Sequence, residues 1–420
     1  MFAKRDAPMK GYDTSLLKNR DFRLLVLTRM CAMTAMQAQA VIVGWQVYSL
    51  TGSEWMLGLT GLTEAIPAII CAFYAGHAVD VSSPRKIYRL CLSALFLNTL
   101  MLLITAGGFV ELDTTHLLIV IFCAIFISGL ARSFIMPCAF ALLPRIVAKD
   151  KISSAYSWQT AAFQTAVIGG PTVAGVIYAY GGPKAAWLFA VVMMGLAVVM
   201  ITLLKTDVAA KAKSDRPPVA KSIKEGWAFL LQNRTLLSVM SLDMLAVLFG
   251  GVVVILPAFA DQILDIGPIG LGLLRASPAF GAVLTALYFA GRPLKTVTAA
   301  QLLIVVGGFG VSMIGFGLST SVFAAILFLA LGGAFDSVSM VIRGTLMQIL
   351  TPEHMRGRVS AVNSMFIISS NEIGAFESGT AATLFGLVPS IIIGGCGTLI
   401  VVGAVAALSP KFRALRVDTS

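Results

Sequence analysis

The feature that most limits the fold of this chain is a series of apolar stretches, each long enough to cross a lipid bilayer. A spanning helix needs roughly 20 mostly apolar residues. Hydrophobic residues make up 58% of the 420 positions and charged residues only 12%, which is more apolar surface than one soluble core can bury. The sequence therefore predicts an all-α polytopic membrane protein with twelve transmembrane helices. The predicted spans are 22–48, 54–79, 87–108, 116–140, 153–179, 184–204, 235–260, 268–291, 296–318, 320–349, 359–385 and 387–408.

The placement of the basic residues predicts the orientation of these spans. The net charge of +11 would suit a nucleic-acid partner, but Lys and Arg occur in short segments between the apolar stretches, as at Arg85, Lys86 and Arg145. Short loops on the cytoplasmic face retain Lys and Arg. The predicted loops on the opposite side contain only one basic residue, Lys184. We therefore expect a multi-pass protein of a bacterial inner membrane with both termini in the cytoplasm, and no nucleic-acid partner.

A polar segment at 206–220 divides the chain into two parts. It is charged, rich in small residues and contains two adjacent prolines, a composition typical of a linker. The following stretch, 221–231, places its apolar residues on one stripe and is expected to form an interfacial helix, with an ordinary loop as the alternative. The predicted parts are an N-terminal six-helix half at 1–205, a cytoplasmic linker with an interfacial helix at 206–232, and a C-terminal six-helix half at 233–420.

The two halves contain matching stretches of sequence. Residues 65–68 (AIPA) correspond to 276–279 (ASPA), and residues 129–133 (GLARS) correspond to 333–337 (GAFDS). Parallel repeats of six helices, related by an axis along the membrane normal, build one large class of transporters with the substrate held between the halves. The repeat predicts two pseudo-symmetric halves.

Aligning the halves brings charged residues within the spans into register, with the sign reversed at each position. A charge inside a span costs at least about 2.5–3.5 kcal/mol, so these side chains should face the protein interior or a wet cavity. The aligned pairs are Arg29 with Asp243, Glu64 with Arg275, and Arg132 with Asp336; together with Glu372 they form the predicted proton-coupling network. The alternatives are that Arg29 and Asp243 reach the membrane interface and that Arg132 and Asp336 form structural salt bridges. Arg343 is expected to reach the interface.

Polar side chains recur along the fifth span at helical spacing and predict one face of a substrate cavity. Polar and aromatic residues in the first and eleventh spans are expected to complete the lining for a bulky ligand. The predicted cavity residues are Gln37, Gln39, Trp45, Trp158, Thr160, Gln164, Asn363 and Asn371. Hydrogen bonds between helices are the alternative role for these side chains.

Four stretches together carry a family resemblance that runs nearly end to end. They are residues 19–23 (NRDFR), 47–53 (VYSLTGS), 142–147 (LLPRIV) and 158–175 (WQTAAFQTAVIGGPTVAG). In this order and at these helix positions, the sequence resembles the major facilitator superfamily, and within it the bacterial exporter branch of enterobactin exporter and macrolide efflux proteins. The resemblance implies the major facilitator fold and transport by alternating access.

The loop between the second and third spans is similar to a gating loop of that superfamily. Gly76, Asp80, Arg85 and Lys86 match part of its pattern. Val81 departs from it, because a basic residue is usual there. The resemblance implies a gating role for these four residues, and a solvated cytoplasmic turn is the alternative.

The fifth span contains a second gating pattern. Gly170, Pro171 and Gly175 resemble the Gly-Pro-x-x-Gly-Gly pattern of antiporters, with Ala174 in place of one glycine. Proline removes a backbone hydrogen bond and glycine permits close helix approach, which suits a bend that seals one side of a cavity. The pattern favours export over import.

These observations predict a secondary active transporter that exports a small amphipathic molecule, siderophore-like or drug-like, by proton antiport. Burial would raise the pKa of a cavity carboxylate and a neighbouring arginine would lower it, which makes Glu64, Asp243 and Glu372 the candidate proton carriers. The expected partners are the small-molecule substrate, protons and the lipid bilayer, and the protein is expected to be a monomer without a cofactor. The alternatives are a proton-coupled importer and a non-transporting receptor or assembly factor.

Motifs for other activities are missing from the sequence. The three histidines are scattered towards span ends, and neither HExxH nor GxSxG occurs, which argues against an enzyme. No Gly-Lys dipeptide occurs, so a Walker A phosphate loop is absent and ATP would have to be used by a separate subunit. The six cysteines lack the spacing of a metal site.

Overall fold

The computed structural model describes residues 13–206, 219–291, 296–352, 355–413 and 415–418. Within these ranges the chain is almost entirely helical. The helices are α1 (Arg20–Thr51), α2 (Glu54–Val81), α3 (Pro84–Thr105), α4 (Thr114–Ile146), α5 (Ile152–Leu203), α6 (Val219–Gln232), α7 (Arg234–Gly250), α8 (Leu256–Ala258), α9 (Gly267–Gly291), α10 (Ala299–Gly317), α11 (Val322–Leu350), α12 (Arg356–Phe385), α13 (Leu387–Leu408) and α14 (Pro410–Arg413).

The described helices account for the twelve predicted spans. Among the described residues, nine helical segments are long and apolar enough to span a membrane. One of them is α5, which bends at Gly182 (φ 68°) and so supplies two crossings. The seventh crossing continues from α7 through short turns as far as Ile263. Helices α2 and α12 complete the twelve, and the predicted fold class is confirmed.

Equivalent asparagines begin the first helix of each half. The Asn19 side chain accepts hydrogen bonds from the backbone N–H groups of Asp21 (3.0 Å) and Phe22 (3.2 Å). The Asn233 side chain accepts one from the N–H of Leu236 (3.1 Å). Such caps satisfy N–H groups that have no partner inside the helix, which explains why both helices begin at these points.

The repeat found in the sequence is confirmed in the helix packing. In the N-terminal half, Gly129 of α4 lies against the carbonyl of Glu64 and the ring of Pro67 on α2. In the C-terminal half, Gly333 of α11 lies in the same way against Pro278 of α9. A side chain at either glycine would collide with the backbone of the facing helix, so both crossings depend on glycine.

The apolar residues are divided between a core that joins the halves and a surface that suits lipid. One buried cluster contains Leu57 and Trp187 from the first half together with Leu256 and Phe259 from the second. It lies where α1 ends and α2 begins, and we refer to this end of the molecule as the closed end. Elsewhere large apolar side chains point outwards, as at Phe323, which is 87% exposed.

Several predicted boundaries differ from the structure. The ninth span was expected to begin at residue 296, but Thr296–Thr298 form strand β1, which pairs antiparallel with strand β2 (Arg416–Asp418). Helix α10 begins only at Ala299, because the Thr298 side chain and Gln301 cap each other's backbone. In the part of the chain that the structure describes, this two-stranded sheet departs from the all-α prediction.

The predicted interfacial helix at 221–231 lies within α6. The Trp227 ring packs against Phe366 of α12 at 5.3 Å between ring centroids, and Leu230 is fully buried. The rest of the predicted linker, 207–218, lies outside the described residues.

Candidate functional site

A cavity of about 290 Å³ lies between the two halves, next to the closed end. Helices α1, α2, α4, α9 and α12 contribute to its wall. Four charged side chains line it, two acidic and two basic: Glu64, Arg132, Arg275 and Glu372. The neutral polar residues of the wall are Gln37, Gln39, Thr60, Ser128 and Asn371. The cavity is therefore rich in charge but balanced in sign.

A small residue at a helix crossing stands one turn from each of these charges. Gly61 precedes Glu64, Gly129 precedes Arg132 and Gly272 precedes Arg275, each by three residues. On α12 the order is reversed, since Ala375 follows Glu372 by three residues and contacts Gly61 of α2. One helical turn places residues three or four apart on the same face. Each of the four cavity charges therefore lies beside a close helix contact.

The two charges of the N-terminal half form an ion pair. The Arg132 guanidinium on α4 donates to the Glu64 carboxylate on α2. The two side chains are 38% and 25% exposed, so the pair is accessible from the cavity. A proton or a ligand can therefore reach it.

The two cavity charges of the C-terminal half, Arg275 and Glu372, lack a direct ion-pair partner among the described residues. Arg275 Nη1 donates instead to the backbone carbonyl of Ala40 on α1, at 3.2 Å, and so bridges the two halves. Glu372 interacts electrostatically with Arg132, but that guanidinium is in contact with Glu64. Arg275 and Glu372 thus keep hydrogen-bonding capacity that faces the cavity.

Gln39 is held in a buried hydrogen-bond network that connects three helices. Its Nε2 donates to Ser128 Oγ at 3.3 Å, and its Oε1 accepts from Thr99 Oγ1 at 3.3 Å. Asn98 Nδ2 also donates to Ser128 Oγ, at 3.0 Å. Interhelical bonding, the alternative role for Gln39, is therefore present. No role was predicted from the sequence for Asn98, Thr99 and Ser128, although polar residues in apolar spans are a usable signal.

Three members of the predicted charge network do not line the cavity. Asp243 on α7 forms an ion pair with Arg343 on α11, in which the side chains are only 11% and 6% exposed. The expectation that Arg343 reaches the membrane interface is therefore wrong. The Arg29 guanidinium lies over the Phe163 ring at 5.5 Å. Asp336 forms no hydrogen bond or ion pair with the described residues.

The structure places the predicted cavity residues in two groups. Gln37, Gln39 and Asn371 line the cavity. The other five are not in its wall. Trp45 packs on the cluster that joins the halves, Trp158 packs on the N-terminal core, Thr160 is exposed, and Gln164 and Asn363 are half-buried.

The gating pattern of the fifth span lies at a contact between the halves. A Cβ at Gly175 would collide with the carbonyl oxygen of Pro268 on α9. A Cβ at Gly272 of α9 would come within 2.5 Å of the carbonyl oxygen of Pro171. Gly170 faces α1 instead, since its Cβ would lie 3.0 Å from that of Gln37.

The gating pattern between the second and third spans is only partly described. Gly76 and Asp80 lie on α2, but the surroundings of Gly76 and the side chain of Asp80 are outside the described part of the structure. Arg85 Nη2 donates to the carbonyl of Thr202 at 3.0 Å, and Lys86 is exposed. Arg85 thus ties the start of α3 to the end of α5.

Side chains also connect the halves at the closed end. Gln262 Nε2 donates to Tyr48 Oη at 2.6 Å and to Glu54 Oε1 at 2.8 Å. Trp55 of α2 meets Phe376 of α12 edge to face, at 5.2 Å between ring centroids. These bonds and rings hold the two halves together above the cavity.

Two pseudo-symmetric six-helix halves around a charged central cavity define a transporter of the major facilitator type. A family model described as transmembrane secretion effector matches residues 13–419, and the chain belongs to this family of the major facilitator superfamily. The resemblance drawn from the sequence is thereby confirmed.

Curated relatives match over most of their length. The chain is 25% identical over 395 residues to the enterobactin exporter EntS of Escherichia coli O1:K1, covering 92% of this chain and 91% of the relative. It is 25% identical over 394 residues to the enterobactin exporter of Citrobacter koseri, with the same coverage.

Solved structures share the fold. A POT family transporter superposes with a TM-score of 0.76 at 12% identity, covering 94% of this chain and 96% of the other. A bacterial homologue of the iron transporter ferroportin in an inward-facing state superposes with a TM-score of 0.69 at 18% identity, covering 94% and 99%.

Proposed function

We propose that this protein exports a small amphipathic molecule, siderophore-like or drug-like, across a bacterial inner membrane in exchange for protons. Membership of the secretion effector family supplies the transport function, and similarity to enterobactin exporters supports export and the size of the ligand. The observation that carries proton coupling is the accessible Glu64–Arg132 pair in the wall of the cavity.

The proposed mechanism is alternating access. With both termini in the cytoplasm, as the basic loops predict, the closed end would face the periplasm, and the state described here would be one that is sealed on the periplasmic side. A proton on Glu64 or Glu372 competes with the positive group that each carboxylate holds, either Arg132 or a cationic part of the ligand. Protonation from the periplasm then releases the ligand, and loss of the proton to the cytoplasm restores the binding site.

A matched pair of variants tests the coupling. In proteoliposomes with an imposed pH gradient, substrate-triggered proton movement should disappear in Glu64→Gln, because the amide cannot exchange a proton. Glu225→Gln is the control, since Glu225 pairs with Arg358 at 3.0 Å and neither residue lines the cavity. Unchanged exchange in Glu64→Gln contradicts the role of Glu64. Ligand accumulation driven by protons moving in the same direction would indicate a symporter.

A further inference from the structure

We infer that the transported molecule is a zwitterion, whose cationic group binds Glu372 and whose anionic group binds Arg275. This inference deepens the proposed function, because it names the substrate class of the same cavity. It starts from the four charges of the wall, of which only Glu64 and Arg132 are in direct contact among the described residues. Glu372 is within electrostatic range of Arg132 but does not touch it, and Arg275 touches no described carboxylate; both belong to the C-terminal half.

The Arg275 guanidinium has donors to spare. It carries five N–H donors in a planar fork. One of them bonds the Ala40 carbonyl, and no described carboxylate lies within ion-pair distance. A planar fork of this kind binds a carboxylate through two parallel hydrogen bonds. Arg275 is therefore suited to an anionic group on the ligand.

The Glu372 carboxylate is placed to receive a cation. It lies one turn from the close crossing of α2 and α12, where a Cβ at Gly61 would be 2.6 Å from the Cβ of Ala375. This crossing fixes the backbone of α12 at the top of the cavity. The neighbouring side chain, Asn371, lines the same wall and supplies a neutral hydrogen-bonding group.

When the cavity closes, the charges of Arg275 and Glu372 must both be compensated by the ligand. In the described state both side chains are partly exposed in the cavity wall. In an occluded state water is expelled, and an uncompensated charge in a membrane protein interior is costly. A ligand with only a positive charge would leave Arg275 without a partner. A ligand with only a negative charge would leave Glu372 without one. A zwitterion compensates both at once.

The direction of coupling also favours a positive group at Glu372. A cation on this carboxylate competes with a proton for the same oxygens, so protonation displaces the ligand as antiport requires. A purely anionic ligand would behave in the opposite way. Protonating a nearby carboxylate would make the cavity more positive and would strengthen its binding, which couples protons and ligand as a symporter does.

A set of three related probes separates the two contacts. Ciprofloxacin is a zwitterion at neutral pH, its methyl ester keeps only the positive charge, and N-acetylciprofloxacin keeps only the negative one. Binding to purified full-length protein in lipid nanodiscs is followed by the intrinsic fluorescence anisotropy of the probes. We expect the zwitterion to bind at least about tenfold more tightly than either derivative, which corresponds to about 1.4 kcal/mol. Rhodamine B and its ethyl ester provide a second scaffold.

The variants assign each charge to its contact. Arg275→Gln should abolish the advantage of ciprofloxacin over its methyl ester but preserve the advantage over the N-acetyl derivative. Glu372→Gln should have the opposite effect. Arg358→Gln is the control, because Arg358 pairs with Glu225 outside the cavity, and it should leave all three affinities unchanged.

Three results would overturn the inference: equal wild-type affinity for a zwitterion and its ester, lack of binding by both zwitterions, or equal weakening of all three probes by Arg275→Gln. The binding assay uses no gradient, so it is independent of the proposed proton exchange. Proton-coupled export without charge selectivity would contradict the zwitterionic substrate but not the proposed export. Charge-selective binding without proton movement would contradict proton-coupled export but not the zwitterionic substrate.

Discussion

The two halves share their helix packing but differ in how their charges are paired. In the N-terminal half, Glu64 and Arg132 form an ion pair across the crossing of α2 and α4. Their counterparts in the C-terminal half, Arg275 and Asp336, do not pair. The difference shows that a repeated backbone fixes where a charge stands, whereas the partner of that charge depends on side-chain length and on the neighbouring half.

Two physical causes explain the unpaired charges. Asp336 is one methylene shorter than a glutamate, so it reaches less far across the crossing of α9 and α11. Arg275 is drawn towards the other half, where it bonds the Ala40 carbonyl. The C-terminal half contains its own ion pair elsewhere, between Asp243 and Arg343, and that pair is buried away from the cavity.

The largest expected effect concerns this buried pair. Asp243→Asn leaves the Arg343 charge buried without a partner, which should lower the free energy of unfolding by about 3–5 kcal/mol. Thermal unfolding of the purified protein in detergent measures the loss. Glu225→Gln breaks the pair with Arg358, whose side chains are 35% and 31% exposed, and should cost no more than about 1 kcal/mol. Equal losses in the two variants would show that Asp243 and Arg343 are not a buried structural pair.

The next effect tests the symmetry of the packing. Gly129→Ala and Gly333→Ala should both destabilise the protein by about 1–3 kcal/mol, because each new methyl group meets the backbone of the facing helix. Gly307→Ala is the matched control, since a Cβ there meets no atom within 4 Å. Thermal unfolding of the three variants decides the matter. A large loss in only one half would mean that the crossings are not equivalent.

The smallest effect tests the asymmetry of the charges. Glu64→Gln breaks a partly exposed ion pair and should lower stability by up to about 1 kcal/mol. Asp336→Asn removes a charge that has no described partner, so it should leave stability unchanged or raise it. The two variants are compared by thermal unfolding at neutral pH. If Asp336→Asn is the more destabilising of the two, then Asp336 has a functional equivalent of the Arg132 contact.

Much of the fold could be predicted because the bilayer sets the length of every span and the repeat sets their order. The short strand at Thr296–Thr298 could not be predicted, since its partner lies 120 residues further along the chain. The pairing of Arg343 was missed for a similar reason. Its position near a helix end suggested the interface, but helix packing places it opposite Asp243.

The cavity was predicted in its charges but less well in its neutral residues. Glu64, Arg132, Arg275 and Glu372 stand out in a sequence because charge is rare inside spans. Trp45 and Trp158 have no such signal, because an aromatic residue suits a packed core as well as a cavity. A usable signal was overlooked: the spacing Gly-x-x-charge occurs at Gly61, Gly129, Gly272 and Gly333.

That spacing has a consequence for how such a carrier can change over time. The glycine makes the helix contact and the residue one turn later holds the charge, so the two tasks are assigned to different positions. One amino-acid substitution can replace an acidic by a basic residue at the charged position, while the glycine keeps the helix contact intact. The opposite signs of Glu64 and Arg275 illustrate this. Ligand preference can therefore diverge between descendants without each having to rebuild its scaffold.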